Sequence, residues 1–121
     1  MTHMADPLDA LISFQDALNS KDLELQPCKL NAHMHVHADQ PTGVMRLTYA
    51  MVDKDVVTSL AIFVATEAID GIPCFQVGYA VPIAYRNRGL AKKIVEEALS
   101  EMKQGGGLLS RWRDNHMHQA L

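Results

Sequence analysis

Residues 56–69 form a run that is apolar on both faces for most of its length, through Val57, Leu60, Ile62, Phe63 and Val64. A strand of that pattern must be covered on both sides, so the run predicts a central strand in a sheet with structure packed above and below it. Asp70-Gly71 follows as a hairpin turn pair. The next run, residues 72–81, puts Phe75, Val77, Tyr79 and Val81 on one face and the smaller Cys74, Gln76, Gly78 and Ala80 on the other. Pro82 has no N–H to donate to a sheet ladder, so regular pairing is expected to stop there.

The flanking segments supply helices and further strands. Asp6 as N-cap and Pro7 at the first helical position open a helix over about residues 7–19, with Leu8, Leu11, Ile12, Gln15 and Leu18 at helical spacing. After a polar break, residues 29–38 alternate: Leu30, Ala32, Met34, Val36 and Ala38 face one way, Asn31, His33, His35 and His37 the other. That alternation predicts a half-buried strand. A turn at 39–43 leads into a strand over 44–52, and 53–55 is another turn. From Leu90 the chain is strongly helical: Ala91, Ile94, Val95, Ala98, Leu99 and Met102 make one apolar stripe, with Lys92/Glu96 and Lys93/Glu97 as i,i+4 pairs beside it. Gly105, Gly106 and Gly107 are expected to end that helix, 108–113 to form a short strand, and Asp114-Asn115 to open a last short helix.

At 121 residues, 48% hydrophobic and 21% charged, the chain suits one small globular domain spanning 1–121, its first five residues a tag remnant or disordered. A formal charge of −3 gives no global attraction to nucleic acid or to an anionic membrane, so any anion site must be local. No apolar run approaches the ~20 residues of a membrane span. Cys28 and Cys74 lie far apart with no disulfide framework or Cys-x-x-Cys pattern, which suits reduced thiols in a cytoplasmic protein.

One junction has the makings of such a local site. Arg86, Asn87, Arg88, Gly89, Leu90 and Ala91 connect the strand-like run to the helix. A helix N-terminus leaves backbone N–H groups unpaired, and these can donate to the oxygens of a pyrophosphate. Gly89 permits close backbone approach and Ala91 leaves room at the helix start. Arg86, Arg88, Lys92 and Lys93 add positive charge. A glycine turn into a solvated basic helix is the plain alternative.

The same stretch resembles the GNAT-type acetyltransferases. Their acetyl-CoA signature is Arg or Gln, two residues, Gly, one residue, then Gly or Ala, preceded by a strand carrying Val-Pro and an aromatic. Here Val81, Pro82, Ile83, Ala84 and Tyr85 lead into Arg86-Asn87-Arg88-Gly89-Leu90-Ala91, and an amphipathic helix follows. The resemblance covers about residues 44–104. It implies an α+β fold with a mixed, mostly antiparallel sheet flanked by helices, incomplete at the C-terminus, with 108–121 beginning that portion. It implies acetyl-CoA as co-substrate and an amine as acceptor. The pantetheine arm would pair with the backbone near Tyr79, Ala80 and Val81, and the N–H groups from Arg86 to Lys92 would hold the pyrophosphate. Strand addition by a ligand gives that pairing a physical basis, if the strand end has free N–H and C=O groups.

Catalytic groups are less well marked. The thiolate-protonating Tyr of the resembled family belongs to a region that residue 121 does not reach, so a non-catalytic CoA-binding or protein-interaction domain stands as the alternative. An open sheet edge in that case would favour a homodimer or strand exchange. Glu67 is a candidate base, directly or through water, although a glutamate at a hairpin end is ordinarily solvated. Tyr79 and Tyr85 are expected to pack. His33, His35 and His37 on one strand face could ligate zinc or copper, against the plain reading of a polar face. Cys74 has no adjacent base and reads as a small hydrophobe. Trp112 between Arg111 and Arg113 reads as an anchor for a terminal segment.

Overall fold

A computed structural model of the chain describes residues 7–21, 25–41 and 43–104. Helix α1 (Pro7–Asn19) is followed by β1 (Gln26–Pro27), β2 (Met34–Asp39), β3 (Arg46–Asp53), β4 (Val56–Ile69) and β5 (Ile72–Ala80), then a one-turn 3-10 segment (Ile83–Tyr85) and helix α2 (Leu90–Gln104). The five strands lie in chain order, each antiparallel to its neighbour. The protein is therefore α+β, with a meander sheet and two helices. No parallel pair occurs among the described residues. The mixed sheet expected from the sequence needs a strand after α2, and residues 105–121 lie outside the described ones.

Two tight turns set the register. Asp70 and Gly71 both have positive φ, 53° and 76°, the conformation that matches a two-residue turn to strand twist. Lys54 and Asp55 do the same at 49° and 65° without a glycine. A helix side chain supports that second turn: Gln15 donates through Nε2 to the Asp55 carbonyl at 2.9 Å and accepts through Oε1 from the Val57 N–H at 2.8 Å.

The helices cover opposite faces. In the β3–β4 register Leu47 lies opposite Phe63 and Tyr49 opposite Ala61, and α2 packs Ile94, Ala98 and Met102 onto that face. Phe63 meets Tyr49 and Phe75 edge-to-face, with centroids 5.7 Å and 6.4 Å away. On the other face α1 sets Leu11 and Phe14 against Ala50, Leu60, Ile62 and Ala80. β4 is thus buried on both sides, as its two-faced apolar run requires. The bulky face of β5 is less covered, with Tyr79 59% and Val77 42% exposed. β5 is the sheet edge and α2 lies mainly over β4.

The strand expected over 29–38 begins only at Met34. Glu101 on α2 accepts the Lys29 and Leu30 N–H groups at 2.8 Å and 3.0 Å, and Asn31 turns the chain by accepting the His33 N–H at 2.9 Å through its side chain. Backbone donors that a strand would use are spent on those turns. His33 therefore precedes β2, and Leu30, placed on the buried face by alternation, is exposed. Strand β3 likewise starts at Arg46 rather than at residue 44. The expected elements at 108–113 and 114–115, the Asp6 cap and Trp112 lie outside the described residues.

Cys28 is buried beneath α2, and burial pushes its thiol from 9.0 up to about 12, with the nearby Glu101 carboxylate adding to the effect. Burial also raises the Tyr49 hydroxyl, helped by Cys28 and Glu101. Both groups stay protonated in the fold where the unfolded chain would ionise. The Cys28 contribution to stability is complete below about pH 9 and is lost as pH rises toward 12, and that of Tyr49 is lost at still higher pH. Iodoacetamide on the native protein is accordingly expected to modify Cys74, which is partly exposed, and to spare Cys28 until the chain unfolds. Equal labelling of both thiols, read by peptide mass, would contradict this packing.

Candidate functional site

The chain leaves β5 at Ala80 and turns at once. The Tyr85 N–H donates to the Pro82 carbonyl at 2.9 Å and the Arg86 N–H to the Ile83 carbonyl at 3.3 Å, which closes the 3-10 turn. Arg86 Nε donates to the Val81 carbonyl at 2.9 Å and ties the loop back to the strand end. Asn87 and Gly89 then take positive φ, 64° and 72°, and swing the backbone into α2. Asn tolerates that region and Gly has no side chain to oppose it.

Helix α2 opens with its donors aimed outward. Its first closing bond runs from the Lys93 N–H to the Gly89 carbonyl at 3.1 Å. By helix geometry the N–H groups of Leu90, Ala91 and Lys92 have no acceptor within the helix, and the positive end of its dipole lies there. A Cβ built on Gly89 would meet nothing within 4 Å, so the space before this turn is open to a ligand.

A cavity of about 430 Å³ lies at this point. Tyr79, Ala80 and Val81 form its strand wall, while Arg86, Asn87, Gly89, Leu90 and Ala91 form its loop and helix wall. These residues are among those the sequence singled out, and the fold brings them to one place. Pro7, Leu8 and Tyr85 complete the lining. No local signal marked Pro7 and Leu8, because they reach the cavity only through the docking of α1 on the sheet.

Other expected site residues are not in the wall. Arg88 turns onto the Tyr85 ring, its guanidinium carbon 5.6 Å from the centroid. Lys92 is exposed and pairs loosely with Glu96 at 3.9 Å. The Val81 carbonyl, which strand addition would have used, already accepts from Arg86. Glu67 lies far from the cavity: Ala80 pairs with Leu60, and Glu67 is seven positions further along β4 than Leu60, about 23 Å at ~3.3 Å per residue.

The histidines also separate. His35 and His37 share one face of β2 and His33 precedes it. Among the described residues no set of histidine, cysteine and carboxylate groups is placed to hold a metal ion. No described helix is long and apolar enough to cross a membrane.

Fold and site together define an α+β domain with a strand-to-helix cavity whose donors suit a phosphate-bearing ligand. No family model, curated protein or solved structure matches the chain.

Proposed function

We propose that the chain binds acetyl-CoA in the strand-to-helix cavity and transfers the acetyl group to an amine, in the manner of the GNAT-type acetyltransferases its sequence resembles. The observation that carries this reading is the gathering of the signature residues Arg86, Asn87, Gly89, Leu90 and Ala91 with the strand end Tyr79 to Val81 around one cavity. The pyrophosphate takes the free N–H groups at the start of α2. The extended pantetheine amides lie along the end of β5.

In the transfer the amine nitrogen attacks the thioester carbonyl, a C–N bond forms and the C–S bond breaks. The acceptor's proton leaves to a base, and the thiolate takes a proton from an acid. Tyr79 and Tyr85, which line the cavity and read from sequence as packing residues, are the proposed proton donors to the thiolate.

A second reading, a CoA-binding domain without catalysis, is favoured by one observation. The described wall holds no carboxylate, imidazole or thiol, so a protonated amine meets no protein base there. Thiol release from acetyl-CoA, followed with a panel of primary amines, separates the two. Amine-dependent release above the spontaneous rate supports transfer, and acetyl-CoA binding without release leaves the binding domain.

A further inference from the structure

Leu90, part of the acetyl-CoA cavity wall, also lines a second cavity of about 370 Å³ beside the first turns of α2. Its floor is an irregularity in the sheet. Met51 on β3 lies opposite Ser59 and Val52 opposite Val57, so Thr58 is an extra residue of β4 with no partner in the ladder. Such a bulge bends the strand and re-aims the side chains beside it. Thr58 donates its hydroxyl to the Met51 carbonyl at 3.3 Å, and Met51 and Val52 make part of the floor apolar. The facing wall is the loop before β2, which is tied down on both sides. Asn31 donates through Nδ2 to Glu97 on α2 at 2.7 Å and accepts from the His33 N–H at 2.9 Å, while the His33 carbonyl accepts from the Val52 N–H at 3.0 Å.

Two independent observations point to a ligand here. Ser59 lines the cavity and is 0% exposed, and it alternates along β4 with Ala61 and Phe63, so its side chain faces α2 as theirs do. Its hydroxyl oxygen has no hydrogen-bond partner among the described residues. Buried polar groups are nearly always satisfied, and one that is not asks for a ligand or an ordered water. The second observation is charge. Lys93 and Asp53 line the same cavity, and neither forms an ion pair with the other or with any described residue. The helical spacing pairs Lys93 with Glu97, but Glu97 is engaged by Asn31 instead.

A cavity that offers an unpaired ammonium and an unpaired carboxylate is matched by a ligand carrying both charges, whether or not His33 in its lining is protonated. A ligand with one charge would leave one of the two groups unanswered. The volume is at the small end of ligand cavities, which suits a compact molecule. We infer that the cavity binds a free aliphatic α-amino acid. Its carboxylate takes the Ser59 hydroxyl and Lys93, its ammonium takes Asp53, and its side chain lies on Met51, Val52 and Leu90. Lys93, one of the cations the sequence set beside the phosphate loop, thus serves this cavity. The binding does not depend on the acetyl-CoA reading, although the two cavities share Leu90.

The test uses the full chain without CoA and three probes that share one carbon skeleton: L-leucine, isopentylamine, which lacks the carboxylate, and isocaproate, which lacks the ammonium. Saturable amide shifts in a nitrogen-correlated NMR spectrum are expected on adding leucine at millimolar concentration, centred on Met51, Ser59 and Lys93. Each analogue is expected to bind there at least about threefold more weakly. Ser59→Ala removes a hydroxyl without adding bulk and is expected to weaken leucine about tenfold, since the lost bond is to a charged group. Lys93→Gln, at an exposed position, is expected to weaken it about threefold. No leucine shifts with folded protein, shifts confined to other regions, an analogue binding as tightly as leucine, or affinity unchanged in both variants would each overturn the proposal. Because no CoA is present, none of these outcomes bears on the acetyl-CoA reading.

Discussion

Gly89→Glu is expected to abolish measurable acetyl-CoA binding while the protein stays folded. Two effects act at this position. Gly89 has φ +72°, where any residue with a Cβ is strained by about 1–2 kcal/mol. The new carboxylate would also stand before the unpaired N–H groups of Leu90, Ala91 and Lys92, where the pyrophosphate is proposed to lie. Repulsion between charges a few ångströms apart near a surface, discounted for solvent screening, is roughly 2–3 kcal/mol, or about a hundredfold in affinity. Gly89→Ala separates the two effects. A methyl group meets nothing within 4 Å, so alanine carries the backbone strain without the charge, and most of the affinity is expected to survive. Calorimetry on both variants, with far-UV circular dichroism as the folding control, reads the difference. Equal affinity in wild type and Gly89→Glu would place the ligand elsewhere.

Phe63→Ala is expected to have the largest effect on stability. The ring is 1% exposed, sits on the α2 face of β4, and makes edge-to-face contacts with Tyr49 and Phe75. Truncating a buried Phe removes its transfer energy and leaves a cavity, about 3–5 kcal/mol in sum. Small domains have only ~5–15 kcal/mol to lose, so the variant is expected to be largely unfolded in moderate urea where the wild type is native. A loss below about 1.5 kcal/mol would mean that the core closes around the gap far better than tightly packed interiors do. Val77→Ala on the edge strand, where the side chain is 42% exposed, serves as the contrast and is expected to cost far less.

The elements that showed in the sequence are those whose signal is local. Residues 56–69 are apolar on both faces because β4 has a helix on each side, and Asp70-Gly71 reads as a turn because both residues take positive φ. The stripe through Ile94, Ala98 and Met102 showed α2 with the same clarity. Local pattern failed at residues 29–33. There alternation suggested a strand, but the Lys29 and Leu30 donors went to Glu101, a residue 72 positions from Lys29. No window of sequence contains that contact.

The candidate site divides along the same line. Tyr79 to Val81 and the 86–91 loop are contiguous in sequence, so the cavity they line was legible. Side-chain destinations were not. Arg88 goes to the Tyr85 ring, Arg86 ties back to Val81, and Lys92 stays at the surface. The positive character that remains at the cavity comes from the Arg86 guanidinium in its wall and from the backbone donors at the start of α2. Glu67 reads as a candidate base from its place near the end of a strand, but the register puts that end of β4 away from the cavity. The second cavity was not legible, because Asp53, Ser59 and Lys93 come together only through strand pairing and the packing of α2 on the sheet.

The most direct test of the central claim is a calorimetric titration of the full chain with acetyl-CoA beside 3′-dephospho-CoA and pantetheine. The account predicts saturable binding of both pyrophosphate-bearing ligands and a large loss for pantetheine, since the N-terminus of α2 would then have no anion to hold. Binding of pantetheine as tight as that of acetyl-CoA, or no heat from acetyl-CoA at millimolar concentration with folded protein, would contradict it.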